Sequence, residues 1–344
     1  MKTLISNPRV IFPVLLLIVA VSSLSVAQQY TLTDLGTFPG GKGSSVLAIN
    51  DVGQAVGTAD VSTGIDHAFL WSSTTGLVDL GLLNQNDQFS TAYGLNNLGQ
   101  VVGQSGTAAF LWTQGTMQDI GNLGGVGTVA YGINKSAQIV GASALPDNQP
   151  QHAFLWTATS GMTDLGTLGG GTSIAYAVND SGQVVGMSYL SDNSTIHAFL
   201  WESGTGMQDL GTLGGVWSGA QAINKSGQVA GWSLTSSNAE VGFIWDAAHG
   251  MKSLGTSRSQ ATTIALGVNQ SRQVVGESNF GGKTRGFLWS QATGLQNVNA
   301  FISPKNPFVT VAYAISNVGQ IVGSGSNGHA LLLTPAKQSQ RSRP

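Results

Sequence analysis

Short apolar runs of five to seven residues, each bounded by Gly, Asn or Ser, return along this chain with a fixed period. The clearest copy runs from Met162 to Trp201 and reads MTDLGTLGGGTSIAYAVNDSGQVVGMSYLSDNSTIHAFLW. It and the residues after it hold four strand candidates: SIAYAVN ending at Asn179, Gln183–Ser188, His197–Trp201 and Gly206–Gly211. All are short, rich in β-branched or aromatic residues and punctuated by turn formers, the pattern of strands in an all-β protein. The marker Gln-[VIA]-[VA]-Gly recurs at Gln54, Gln100, Gln138, Gln183, Gln228, Gln273 and Gln320, at intervals of 46, 38, 45, 45, 45 and 47 residues. A period in this range means one supersecondary unit repeated against itself.

The first two strands of a copy are joined by Asn-x-x-Gly, as at Asn50–Gly53, Asn96–Gly99, Asn179–Gly182 and Asn224–Gly227. Asn opens a type I turn and Gly accepts the positive φ at its end. Ala137 and Arg272 replace that Gly in two copies, so those turns are expected to be strained. The first strand carries Tyr93, Tyr131, Tyr176 and Tyr313 on one face and Ala48, Gly94, Gly132, Ala177, Ala222, Gly267 and Ala314 on the other. Large against small predicts that neighbouring sheets nest closely with both faces buried, which suits the innermost strand of a propeller blade.

The chain ends extend the argument. The last copy stops at His329–Leu333 with no fourth strand after it, while Tyr30–Gly36 is a fourth strand with no copy before it. The expected fold is therefore an all-β, seven-bladed β-propeller of four-stranded antiparallel blades, closed by the N-terminal strand. A β-solenoid with two rungs per unit is the alternative; it accounts for the period but not for the orphan strand.

Composition narrows the function. The chain has 344 residues, 48 of them Gly, and only 9% charged against an ordinary share of about 25%. Residues 1–27 read as a secretory signal peptide: Lys2 and Arg9, an apolar run Val10–Val21 broken only by Pro13, then Ser25-Val26-Ala27 before Gln28. Residues 28–336 form the propeller and 337–344 a flexible basic tail holding Lys337, Arg341 and Arg343. Without the leader, 12 basic face 16 acidic side chains, a charge of −4, which argues against nucleic acid as a partner. Export places the mature chain in the periplasm, at the cell surface or outside the cell, without a membrane anchor and as a monomer. Cysteine is absent, which removes disulfides and thiolate chemistry.

The residues HAFLW, DLGTLGG, Ala-x-Asn-x-x-Gly-Gln and Gln-Val-Val-Gly resemble the extracellular HAF repeat family of bacterial secreted proteins. HAF stands intact at His67–Phe69, His152–Phe154 and His197–Phe199, and DLGTLGG at Asp164–Gly170 and Asp209–Gly215. The resemblance spans the mature chain and implies export and a repeat fold. It brings no catalytic residues. Copies two, five and six depart from it with Ala-Ala-Phe, Val-Gly-Phe and Arg-Gly-Phe.

Candidate chemistry sits where the repeat is broken. His67, His152, His197 and His329 share one repeat position, as do Trp71, Trp112, Trp156, Trp201, Trp245 and Trp289. Both sets read as packing residues, the histidines hydrogen-bonded between blades and too far apart for one metal ion. Neither a metal nor a cofactor is expected. Two tryptophans lie off pattern: Trp217 in the inter-copy loop LGGVWSG and Trp232 at the end of a second strand. With Asn238, Glu240, Glu277, Phe280 and Arg285 they are the candidate ligand-binding residues, suited to a glycan or a segment of an exported protein. The expected role is a non-catalytic binding or surface-interaction module. The alternative is a glycoside-acting enzyme using Glu240 and Glu277, with Arg258 and Arg285 in support.

Overall fold

The computed structural model describes residues 29–147, 149–257, 261–302 and 307–336. The signal peptide, the basic tail and Arg258 lie outside the described residues. Those described form 28 strands and one 3-10 turn, Val298–Phe301, arranged in five four-stranded sheets and one of eight. The eight-stranded sheet is two four-stranded units joined by a single parallel bridge, Ile196 to Trp217. Within each unit the strands are antiparallel neighbours. In the fourth copy Gly169–Val178 pairs with Val184–Leu190, that with Ile196–Glu202, and that with Gly206–Asp209.

The repeated residues explain the sheets. Phe69, Phe110, Phe154, Phe199, Phe243 and Phe287 of the third strands are fully buried, and Leu331 takes their place in the last copy. Each contributes about 2–3 kcal/mol by leaving water. The Gly of the marker lets this ring and the facing backbone close up: a Cβ on Gly103 would stand 2.0 Å from the Thr91 carbonyl and 2.7 Å from the Phe110 ring. Copies five and six carry Gly242 and Gly286 where HAF has Ala. There Thr263 and Val309 bring extra methyls, 3.1 Å and 3.0 Å from where those Cβ atoms would lie.

The Asn of the Asn-x-x-Gly turn does more than open it. Asn179, buried, accepts from the Ser181 and Gln183 amides, each at 3.0 Å. Its side-chain amide donates to Gln183 Oε1 at 2.6 Å and to the Asn224 carbonyl of the next copy at 3.1 Å. The same cross-copy bond runs from Asn50 to Asn96, Asn96 to Asn134, Asn134 to Asn179, Asn224 to Asn269 and Asn269 to Ser316. This belt is why the marker begins with Gln: its side-chain oxygen holds the Asn amide in the orientation that reaches the neighbour. Ala137 and Arg272 adopt φ of 55° and 59°, the left-handed conformation their turns require without glycine.

The first and last described strands meet. Tyr30–Asp34 pairs antiparallel with Ala330–Pro335, and Tyr30 is buried in the core of the last copy beside Phe301. His329 Nδ1 lies 3.0 Å from Asp34. Ser44 of the first copy donates to the Gly36 carbonyl and accepts from the Ala330 amide. At the turns, Asp51 accepts from the Asn317 backbone and side chain at 2.8 Å and 2.9 Å, and from Asn97 on its other side.

Two expectations about the repeat positions need correction. The tyrosines of the first strands are half-buried, because each sits on a β-bulge, such as that between Ala175 and Ala177, that turns its ring away from the plain alternation. Their rings instead contact one another across successive first strands: Tyr93 to Tyr131 at 5.1 Å and Tyr131 to Tyr176 at 5.2 Å. The HAF histidines bond within their own sheet, not between sheets. His67, His152 and His197 each place Nδ1 against the fourth-strand Asp79, Asp164 and Asp209, at 2.9, 2.9 and 2.7 Å.

Candidate functional site

At the end of the sheets opposite the Asn turns, copy five holds a cavity of about 790 Å³ lined by Trp217, Trp232, Leu234, Ser237, Asn238, Ala239, Glu240, Ala261 and Thr262. Four of the seven candidate residues therefore meet in one place. They are reached from three directions: Trp217 from the start of the first strand Gly214–Ile223, Trp232 from the second strand Val229–Thr235, and Asn238 and Glu240 from the turn and strand that follow. Trp217 lies within an extended strand rather than a loop, and Trp232 in the middle of its strand rather than at its end.

Each tryptophan is held by something specific. Trp217, 44% exposed, donates its indole N–H to the Ser194 carbonyl of copy four at 3.0 Å. Trp232 is half-buried and stands across the ladder from Gly219. A Cβ on Gly219 would lie 3.0 Å from the Trp232 indole nitrogen and 3.1 Å from its ring carbons. The equivalent places in the first five other copies along the chain hold Ser45, Thr91, Val129, Ile174 and Ile264. A glycine opposite an off-pattern tryptophan marks this cavity. Asn238 takes φ of 62° in a turn closed by its amide to the Thr235 carbonyl at 2.9 Å.

Glu240 is the single titratable residue in the lining. Burial pushes its carboxyl above the ordinary range. Glu277, on the next copy's second strand Val274–Phe280, is half-buried and also raised, first by burial and then by the nearby charge of Glu240. The two carboxylates thus share one electrostatic neighbourhood. The remaining candidates are elsewhere. Phe280 packs against the core formed by Ala230, Ile244, Leu254, Ala265, Val274 and Phe287. Arg285 lays its guanidinium 3.9 Å over the Phe308 ring and donates to the Thr284 carbonyl. The third glutamate, Glu202, accepts from Gln183 in copy four.

No protein-family model matches the sequence, and no curated protein matches it. Among solved structures the fold is similar to the β-propeller domain of the Trilobed protease from Pyrococcus furiosus, with TM-score 0.54 and 10% identity over 85% of this chain and 93% of that one. It is also similar to a Mycobacterium tuberculosis puromycin-hydrolyzing peptidase, with TM-score 0.52 and 10% identity over 82% and 50% of the two chains. For TolB from Acinetobacter baumannii the TM-score is 0.50 and the identity 12%, over 83% of this chain and 64% of that one. This chain therefore spans a little under two thirds of the TolB chain. Likeness at this identity defines the class through its fold alone: an all-β protein of four-stranded antiparallel sheets with the β-propeller fold.

Proposed function

We propose that this is an exported, non-catalytic, seven-bladed propeller that binds a glycan through the cavity between Trp217 and Trp232. The observation that carries the reading is the convergence of two off-pattern indoles, one amide and one carboxylate in a cavity of about 790 Å³, within the range of small-molecule sites. Aromatic faces with a few polar groups at the rim suit sugar rings, whose C–H faces are apolar and whose hydroxyls need partners. A segment of an exported protein is the other ligand class that such a surface accepts.

Seven blades are supported by the seven repeats of one strand set, and ring closure by the N-terminal strand is supported by its pairing with Ala330–Pro335. The HAF-type repeat family remains the proposed kinship, on the motifs alone. Export rests on residues 1–27 and is tested by N-terminal sequencing of protein recovered from the periplasm or medium, which is expected to begin at Gln28. Among the described residues no helix is long and apolar enough to cross a membrane.

One observation favours a second reading. Glu240 and Glu277 are both raised and mutually repelling, the arrangement that lets one carboxyl serve as acid beside an ionised partner in glycoside hydrolysis. A glycan array probed with the protein, followed by chromogenic glycosides of the bound sugars, separates the two. Retention of a sugar that is lost in Trp217→Ala, without turnover, is the expected result. Turnover abolished by Glu240→Gln or Glu277→Gln would replace the binding reading with the enzymatic one.

A further inference from the structure

The cavity's chemistry is one-sided. Trp217, Trp232 and Glu240 line it, and among the described residues no Lys, Arg or His does. Burial alone accounts for the raised Glu240 carboxyl, so no hydrogen bond among the described residues stabilises its charge. Glu277 adds a second carboxylate nearby. Among the described residues of copy six, Arg285 is held over Phe308 and Lys283 is exposed at the start of its strand. An indole face attracts a cation, and a half-buried carboxylate without a partner gains most from one. A neutral sugar would use the tryptophans and leave Glu240 partly desolvated and unpaired. An anionic sugar would meet repulsion from both glutamates.

Resting on the reading of this cavity as the glycan site, we propose that its ligand class is the cationic amino sugar, with the free ammonium directed at Glu240 and the ring C–H faces on Trp217 and Trp232. A sugar is favoured over a lysine side chain by the breadth of the cavity and its rim. Ser237, Asn238 and Thr262 offer several hydroxyl and amide partners, where a lysyl stem has no hydrogen-bonding group before its terminus.

Calorimetric titration of the full chain with three probes tests this: de-N-acetylated chitotetraose, its N-acetylated form and tetralysine. The two chitotetraoses share their sugar rings and differ at nitrogen, an ammonium in one and a neutral acetamide in the other. The de-N-acetylated tetramer is expected to bind at least about tenfold more tightly than the acetylated one. Glu240→Gln is expected to erase that preference by weakening the de-N-acetylated form the more, and Trp217→Ala to weaken both forms. Trp217 is used because it is exposed, and each variant's melting curve is compared with wild type. Equal affinities for the two tetramers, or a preference indifferent to Glu240→Gln, overturns the proposal. Binding of the acetylated tetramer alone, lost in Trp217→Ala, would overturn the cationic class and leave the glycan-site reading standing. Tetralysine binding more tightly than the amino sugar would overturn the glycan. A preference that arises only in Arg258→Ala would also overturn the proposal, because the native carboxylate would then already be neutralised.

Discussion

Replacing Asn179 with Ala removes a side chain that satisfies four groups at once. Its oxygen accepts from the Ser181 and Gln183 amides, and its nitrogen donates to Gln183 Oε1 and to the Asn224 carbonyl. At a net value of about 1 kcal/mol per bond the upper limit is roughly 4 kcal/mol. Ser181 is exposed and Gln183 half-buried, so water recovers part of the loss there, whereas Asn224 is buried and its carbonyl is left bare. The expected cost is about 2–3 kcal/mol. The last copy supplies an internal control. Ser316 holds the Asn position, accepts from the Gln320 amide at 3.1 Å and is too short to donate onward to the first copy. Asn179→Ser should therefore keep the turn, lose the cross-copy bond and cost about half as much as Ala. Asn179→Asp exchanges the donor for a carboxylate facing two oxygens, and should be worse than Ala at neutral pH and recover as the group protonates. Urea unfolding followed by tryptophan fluorescence reads the order through the midpoint. An Asn179→Ala protein within about 0.5 kcal/mol of wild type, or Ser costing as much as Ala, would refute the belt as a stabilising device.

Two further outcomes follow from the chain ends and the carboxylate pair. Deleting residues 29–36 removes the partner of Ala330–Pro335, buried Tyr30 and the Asp34–His329 contact, so it should lower the melting temperature far more than deleting residues 337–344; equal melting temperatures would contradict the proposed closure. Glu277 and Glu240 have folded carboxyl pKa values above their unfolded ones, so each favours folding when protonated and opposes it when ionised. The stability they contribute is full below the unfolded value and is lost as pH rises through the raised folded value. Glu277→Gln should stabilise the protein at pH 7 and flatten its melting profile above the ordinary carboxylate range, with the effect reduced because both groups are partly exposed; an unchanged profile would remove the coupling.

The repeated residues made much of the fold legible. A fixed period, a phenylalanine opposite a glycine and an Asn-x-x-Gly turn are local or next-strand constraints. They located most strand ends within a residue or two: His197–Trp201 was read where Ile196–Glu202 forms, and Tyr30–Gly36 where Tyr30–Asp34 forms, whereas the first strand read from Ser173 begins at Gly169. The tyrosines were misplaced because alternation assumes a regular strand, and a bulge at each of them breaks the alternation. The histidines were misassigned because a partner twelve residues away in the same sheet is indistinguishable, by sequence, from one in the next.

For the site, the sequence by itself singled out Trp217 and Trp232, since residues that break a repeat stand out against it. It grouped Phe280 and Arg285 with them only through proximity along the chain. Tertiary structure separated the two sets: Phe280 closes a core, Arg285 stacks on Phe308, and Trp217, Trp232, Asn238 and Glu240 share one cavity. Tertiary structure also gave the belt asparagines their second role. The cause is the same in each case. Hydrogen bonding within a turn and burial within a strand pair depend on neighbours a few residues away, which the sequence records directly. Contacts between copies about 45 residues apart depend on how the sheets are set against one another, and that is decided by packing over the whole chain.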